Sequence, residues 1–342
     1  MTTIKDLRAA FGLRLKRRRL LWRAIRSRRA LREICSPDTA IAPDDILLFA
    51  TMRNEAQRLP FFLKHYRRLG VNRFLIVEND STDATVEYLR AQPDVALWST
   101  SASYRDSRFG MDWLNWLLMR HGHGHWCVTV DADELLVYPG SDQRPLSELT
   151  GWLDAQDAPA MGALMLDMYP DGPLSSARAA PGSDPTLALP LFDPTGYDWE
   201  YQPRFGNISI RGGPRKRVFF AETPENAPHL HKLPLIRWQW RYAYVSSTHI
   251  ALPRRLNSAL DLRKGLPSGV LLHSKFLDGA IERAAEEKRR GEHFTHRDEY
   301  DDYYDQITRD PDLRDANSAR YKGPQDLLAK GLMQSGNWPG EN

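Results

Sequence analysis

Asp131 and Asp133, one residue apart directly after the apolar run Trp126-Cys127-Val128-Thr129-Val130, are the residues of this chain best placed to do chemistry. Two carboxylates at that spacing supply hard oxygen donors, the kind that Mg2+ or Mn2+ takes from a protein while water and phosphate oxygens fill its other positions. A cation held there would absorb the negative charge that builds on a diphosphate as it leaves. Acidic pairs also cap strands and sit on exposed turns, so the spacing alone does not define a site. Its place adds weight, because ligands of open α/β sheets collect beyond the carboxyl ends of the strands.

Other residue groups have chemistry to offer. The apolar run from Gly269 ends in His273, whose neutral imidazole suits Mn2+ or a phosphate contact, against the plainer reading of a packed histidine at a strand end. Lys275, two residues on and on the same strand face, would meet a diphosphate. Arg211, Arg215, Lys216 and Arg217 surround Gly212 and Gly213, placing cations on flexible backbone that can wrap a phosphate or an anionic acceptor. Asp198 and Glu200 alternate with Tyr197, Trp199 and Tyr201, so a proton-accepting carboxylate sits beside rings on which a sugar can stack; the alternative is a polar loop. His121-Gly122-His123-Gly124-His125 reads as a surface turn, and His229, His231 and His249 as loop or surface residues.

These side chains need elements to hold them. Ile46 to Thr51 reads as a buried strand, Leu59 to Leu69 as a helix with Pro60 in its first turn, and Arg73 to Val77 as a second strand. Asp80-Ser81-Thr82-Asp83 offers caps for a helix through Arg90, Val95 to Trp98 reads as a third strand, and Gly110 to His121 as a further helix leading into the acidic strand. Strands alternating with helices imply βαβ units, hence an α/β fold with a mostly parallel central sheet flanked by helices and right-handed crossovers. The second half is less regular, with Pro- and Gly-rich loops over about 170 to 215, a charged helix around Ala280 to Arg290, and an acidic, tyrosine-rich tail.

Three segments in order, Ala50-Thr51-Met52-Arg53-Asn54-Glu55, then Val77-Glu78-Asn79-Asp80-Ser81-Thr82-Asp83, then Val130-Asp131-Ala132-Asp133-Glu134, resemble the family 2 glycosyltransferases of the GT-A fold over about residues 45 to 140. The resemblance implies a GT-A nucleotide-diphospho-sugar transferase fold, a nucleotide-sugar donor, Mn2+ or Mg2+, and inversion at the transferred sugar. It implies that Thr51, Arg53, Asn54 and Glu55 approach the nucleotide, and that Glu78 or Asn79 accepts from base or ribose, with Asp83 in the turn beyond. Many members carry Asp where this chain has Glu78, which leaves the choice between Glu78 and Asn79 open. It further implies that Asp131 faces ribose and metal, that Asp133 binds the metal directly, that His273 completes the metal shell, and that Arg108 and Asn115 border the donor. Asp112 reads as a cap or surface acid, and Trp113 and Trp116 as core.

Composition bounds the rest. With 27% charged and 42% hydrophobic residues the 342-residue chain matches ordinary globular proteins, and a net charge of +3 argues against a nucleic-acid partner. Cys35 and Cys127 form no disulfide or zinc pattern, which favours a reducing, cytoplasmic setting. Residues 1 to 34 interleave Arg and Lys with Phe11, Leu15, Leu20, Leu21, Trp22, Ile25 and Leu31, either a basic amphipathic helix for an anionic membrane face or a solvated arm. The expected organisation is a basic arm and linker over 1–44, a donor half over 45–140, an acceptor half over 141–295 and a helical tail over 296–342. The expected acceptor is a glycan or lipid-linked hydroxyl in surface-glycan synthesis. Two rivals remain, a nucleotidyltransferase acting on sugar phosphates and a non-catalytic glycan-binding module; the first would want a Gly-rich, Arg- or Lys-bearing loop after the first strand, and Thr51 to Arg58 has no glycine.

Overall fold

The computed structural model describes residues 4–277, 279, 281–283 and 297–339, so the charged helix expected around Ala280 to Arg290 lies almost wholly outside the described residues. Along the chain come helix α1 (Ile4–Ser27) and strand β1 (Arg32–Cys35), then β2 (Leu47–Met52), α2 (Leu59–Arg68), β3 (Arg73–Glu78), α3 (Thr85–Arg90), β4 (Val95–Ser99), α4 (Met111–His121) and β5 (Trp126–Thr129). After the acidic motif follow β6 (Glu134–Val137), α5 (Leu146–Ala155), β7 (Ala160–Asp167), β8 (Leu191–Phe192), β9 (Asp198–Gln202) and β10 (Asn207–Arg211). The remaining strands are β11 (His231–Arg237), β12 (Ala243–Ser246), β13 (Ile250–Leu252), β14 (Gly269–His273) and β15 (Ala319–Arg320). Helices Arg297–Thr308 and Pro324–Ala329 belong to the tail.

Local chemistry explains the regular half. In α2 Pro60 sits in the first turn, where no amide is needed, and Leu59, Phe62, Leu63 and Tyr66 recur at helical spacing on the buried face. Strands β2 and β3 are apolar at successive positions because both sheet faces are covered. Leu48 and Ala50 point into one core with Phe62, Phe74 and Leu136, while Leu47 and Phe49 point into the other with Leu75, Trp113 and Leu117. That alternation is the two-residue period of a strand, and it puts a helical layer on each side.

The central sheet has nine strands in the order β1-β4-β3-β2-β5-β11-β7-β14-β6. Strands β4, β3, β2, β5, β7 and β14 run one way and β1, β11 and β6 the other, so the sheet is mostly parallel. The antiparallel insertion of β11 between β5 and β7 has no periodic signal, since His231, Lys232 and Pro234 interrupt its apolar pattern. Pro234 falls where the β11–β7 register shifts between Lys232 and Leu235, the kind of irregularity that tolerates a residue without an amide hydrogen.

Within residues 4–44 the chain packs on the domain. Arg32 to Cys35 pair antiparallel with β4, covering the edge that β4 would otherwise leave unbonded. Leu20 and Ala24 of α1 are buried, Leu20 beside Ala243 and Leu252. No helix among the described residues is long and apolar enough to cross a membrane.

Candidate functional site

One edge of the sheet gathers the polar residues. Because β5, β7 and β14 end there while β11 and β6 begin there, Asp131, Asp167, His273, Lys232 and Glu134 share that edge. Register tightens the grouping, with Glu134 opposite His273 across β6 and β14, and His273 opposite Asp167 across β14 and β7.

Two buried ionic chains result. In the first, Asp133 Oδ2 lies 3.2 Å from His273 Nε2, His273 Nδ1 lies 2.6 Å from Asp167 Oδ1, and Arg215 Nε donates to Asp167 Oδ2 at 2.7 Å. Burial alone would raise the Asp133 carboxyl, yet the His273 imidazole, helped by Arg58 and Lys275, holds it well below the usual carboxylate range. Burial works against a charged His273 as well, and the Asp133 and Asp167 carboxylates more than offset it, raising the imidazole. In the second chain Lys232 Nζ stands 2.8 Å from Glu134 Oε1 and 3.3 Å from Asp131 Oδ2. Glu134 is raised by its own burial, whereas Lys232 is raised by the two carboxylates against burial. Neither Asp131 nor Asp133 is sealed off, their side chains being 44% and 24% exposed.

Among the described residues no group of three or more His, Cys, Asp or Glu side chains is gathered for a metal ion. The pair Asp133 and His273 does fit two donors of one ion. Neighbouring vertices of an octahedron with bonds of about 2.1 Å stand about 3 Å apart, close to the 3.2 Å between Oδ2 and Nε2. Asp167 accepting from Nδ1 fixes the ring so that Nε2 would offer its lone pair to an ion that replaced the proton it shares with Asp133, the usual support behind a metal-binding histidine.

The donor-side loops are tied to one another. Asn54, at a positive φ of 53°, accepts from Thr82 N at 2.8 Å, and Glu55 N donates to Thr85 Oγ1 at 2.8 Å. Asp83 accepts from Ala56 N at 3.1 Å and Thr85 N at 2.9 Å, the capping turn that the sequence allows. Glu78 accepts from Ser81 N and Ser99 Oγ, and the Asn79 amide donates to Thr100 O and Ala102 O. Arg53 lies 3.9 Å from Asp80, and Glu55 pairs with Arg58 at 2.7 Å. Thr51 packs against Gly110, where an added Cβ would come within 2.7 Å of Thr51 Oγ1 at a φ of +74°, so glycine alone suits that turn.

Several expected contacts are engaged elsewhere. Arg108 donates twice to Asp112 Oδ1 and once to Val245 O, so Asp112 is a buried ionic partner rather than a surface acid. Asn115 is fully buried and brackets Tyr244 through both its amide groups. Arg211 donates to Ala227 O and stands beside His229. Asp198 and Glu200 lie on the exposed β9, where the Lys216 ammonium holds Asp198 one residue along from Arg215. Lys275 is pushed down to about 8 by burial and by Arg215. Sequence reasoning missed Asp167, Lys232, Glu134 and Arg58. A signal existed in Lys232, a charge inside an apolar strand, and in Asp167, which ends the apolar run of β7 just as Asp131 follows that of β5.

Two buried histidines set an acid limit. Burial pushes His65 down to about 4 and His231 down to about 3. An unfolded histidine binds its proton near pH 6.5, so the unfolded state takes up more protons through this window. Stability is therefore full above about pH 6.5 and falls below it, by about 3 kcal/mol per histidine at pH 4. Thermal midpoints measured from pH 8 to 4 should be flat and then drop. His65→Gln, which keeps a donor for Leu136 O, should remove part of the drop.

No protein-family description matches this chain, and neither does any curated protein. Two solved structures are similar to it in part. The first, a 4-diphosphocytidyl-2C-methyl-D-erythritol synthase, shares 18% identity over 42% of this chain at a TM-score of 0.25, and the chain spans 65% of its length. The second, a UTP-bound UGPase from Acinetobacter baumannii, shares 10% identity over 77% of this chain and 98% of its own, at a TM-score of 0.30. Likenesses this slight carry no argument about activity.

Proposed function

We propose that this chain is a metal-dependent glycosyltransferase that moves a sugar from a nucleoside-diphosphate sugar to a hydroxyl of a glycan or lipid-linked acceptor, with inversion. The observation that carries the reading is the Asp133–His273 pair, set 3.2 Å apart at the open edge of the sheet with Asp167 behind it. Mg2+ or Mn2+ bound by that pair would neutralise charge on the departing diphosphate. The chain's own cations act in the same direction, since Arg58 and Lys275 bias the potential around Asp133 toward anions. Asp131, more open and anchored by Lys232, is free on its outer side for ribose or a metal-bound water. Asp198 or Glu200 takes the acceptor proton, from a strand whose Trp199 and Tyr201 rings are exposed for a sugar. The setting that follows is the cytoplasmic synthesis of surface glycans.

A second reading is a nucleotidyltransferase. The first-strand loop carries Arg53, partly exposed beside Asp80, where that class wants a cation, although the loop lacks glycine. Nucleotide sugars incubated with Mn2+, and with chelator, separate the readings. Nucleoside diphosphate released only with metal supports glycosyl transfer. Pyrophosphate formed from a nucleoside triphosphate and a sugar phosphate replaces it with the second reading, and neither product leaves a glycan-binding module.

A further inference from the structure

The geometry points to α1 as a docking helix for an anionic lipid surface. Its inner face is committed to the protein. Arg23 donates to Asp112 Oδ2 at 2.9 Å and to Asp106 O at 2.8 Å, Ser27 Oγ donates to Asp112 O at 3.0 Å, and Leu20 and Ala24 are buried. Lys16 stacks over Phe205 and Arg28 over Trp116. The helix is thus fixed in orientation against α4 and the β12–β13 ribbon.

The outer face carries apolar side chains in the open. Phe11, Leu15, Trp22 and Ile25 are 59%, 49%, 56% and 41% exposed. At about 100° per residue these four positions fall within an arc of roughly 80°, opposite the arc of Leu13, Leu20 and Ala24. A helix that needed only to pack on its own domain would have one apolar stripe, and this one has two. Arginines share the outer stripe and border it, with Arg18 inside its arc, Arg8, Arg19 and Arg26 along one side and Arg14 along the other, and the Arg26 guanidinium stacks on the Trp22 ring. Nine basic residues and a single acid lie in the 24 residues of α1.

Charge complementarity selects the occupant. Apolar side chains interleaved with arginines match a bilayer interface, where the apolar groups enter below the headgroups and guanidinium groups meet lipid phosphates, with each basic residue contributing about 1 kcal/mol. A nucleic-acid backbone would satisfy the arginines and leave Phe11, Leu15, Trp22 and Ile25 in water. The helix would lie on the surface, since no described helix can span it.

The test uses the full chain and phosphatidylcholine vesicles with and without phosphatidylglycerol, read by co-sedimentation. The chain should bind the anionic vesicles, bind the neutral ones weakly, and detach as salt is raised. Phe11→Ser with Trp22→Ser should weaken anionic binding on the order of tenfold or more, with an unchanged thermal midpoint because both side chains are exposed. Arg18→Gln with Arg19→Gln and Arg26→Gln should remove most of the salt dependence. Equal binding by the serine variant overturns the proposal. So does a dimer in light scattering that the serine variant makes monomeric, which would give the stripe to a second copy. Displacement of the native chain from vesicles by duplex RNA that the serine variant binds equally well would give it to nucleic acid.

Discussion

Asp133→Asn is expected to lower metal-dependent turnover of a nucleotide sugar on the order of 10³-fold or more while the chain stays folded. The substitution keeps the side chain's shape and removes the charge that both His273 and a divalent ion need. Disturbing a group behind a metal ligand typically costs 10- to 100-fold in affinity, and loss of a ligand costs more; Asp167→Asn, which disturbs the hydrogen bond to His273 Nδ1, is the matched comparison. Stability should change little, by about 1 kcal/mol, because Asp133 keeps contact with solvent. That loss has a sign in pH. His273 holds the Asp133 carboxyl below its ordinary value, so the pair stabilises the fold above pH 4 and the gap between variant and native chain narrows in acid. Turnover and Mn2+ titration calorimetry check the prediction, and native turnover in the Asn variant would remove the metal assignment.

Lys232→Met should be the most destabilising single change at the acidic edge, at roughly 3 to 5 kcal/mol. Lys232 and Glu134 are 3% and 1% exposed and stand 2.8 Å apart. Without the ammonium, Glu134 either keeps an unpaired charge in the interior or takes up a proton. Burial already raises Glu134, so a raised folded value makes the variant gain stability as pH falls toward the carboxylate range, opposite to the trend expected from His65 and His231. Lys232→Met with Glu134→Gln should recover part of the loss, since it leaves a hydrogen-bonding amide instead of a charge. Urea midpoints at pH 7.5 and 5.5 measure both effects; a loss under 1 kcal/mol at pH 7.5 would mean that water reaches the pair.

Local chemistry made the first half of the sheet legible. Between Leu47 and Thr129 every strand and helix of the structure lies within a few residues of its sequence signal, because uninterrupted apolar runs, Pro60 in a first turn and the Asp83 cap act over a few residues. The place of Asp131 and Asp133 at a strand end was legible for the same reason. Their partners were not. Lys232 is 101 residues from Asp131, and Asp167 is 106 from His273. The Glu134, His273 and Asp167 row exists only because β14 pairs with β6 on one side and β7 on the other. The same holds for Asp112, which looks like a surface acid until α1 and Arg108 close over it. By itself the sequence determined the elements of the first half and the position of the acidic motif, since propensity and periodicity are short-range. The tertiary structure decided which charges face each other, and so the electrostatics of the site, because Coulomb interactions depend on distance in space and are indifferent to distance along the chain.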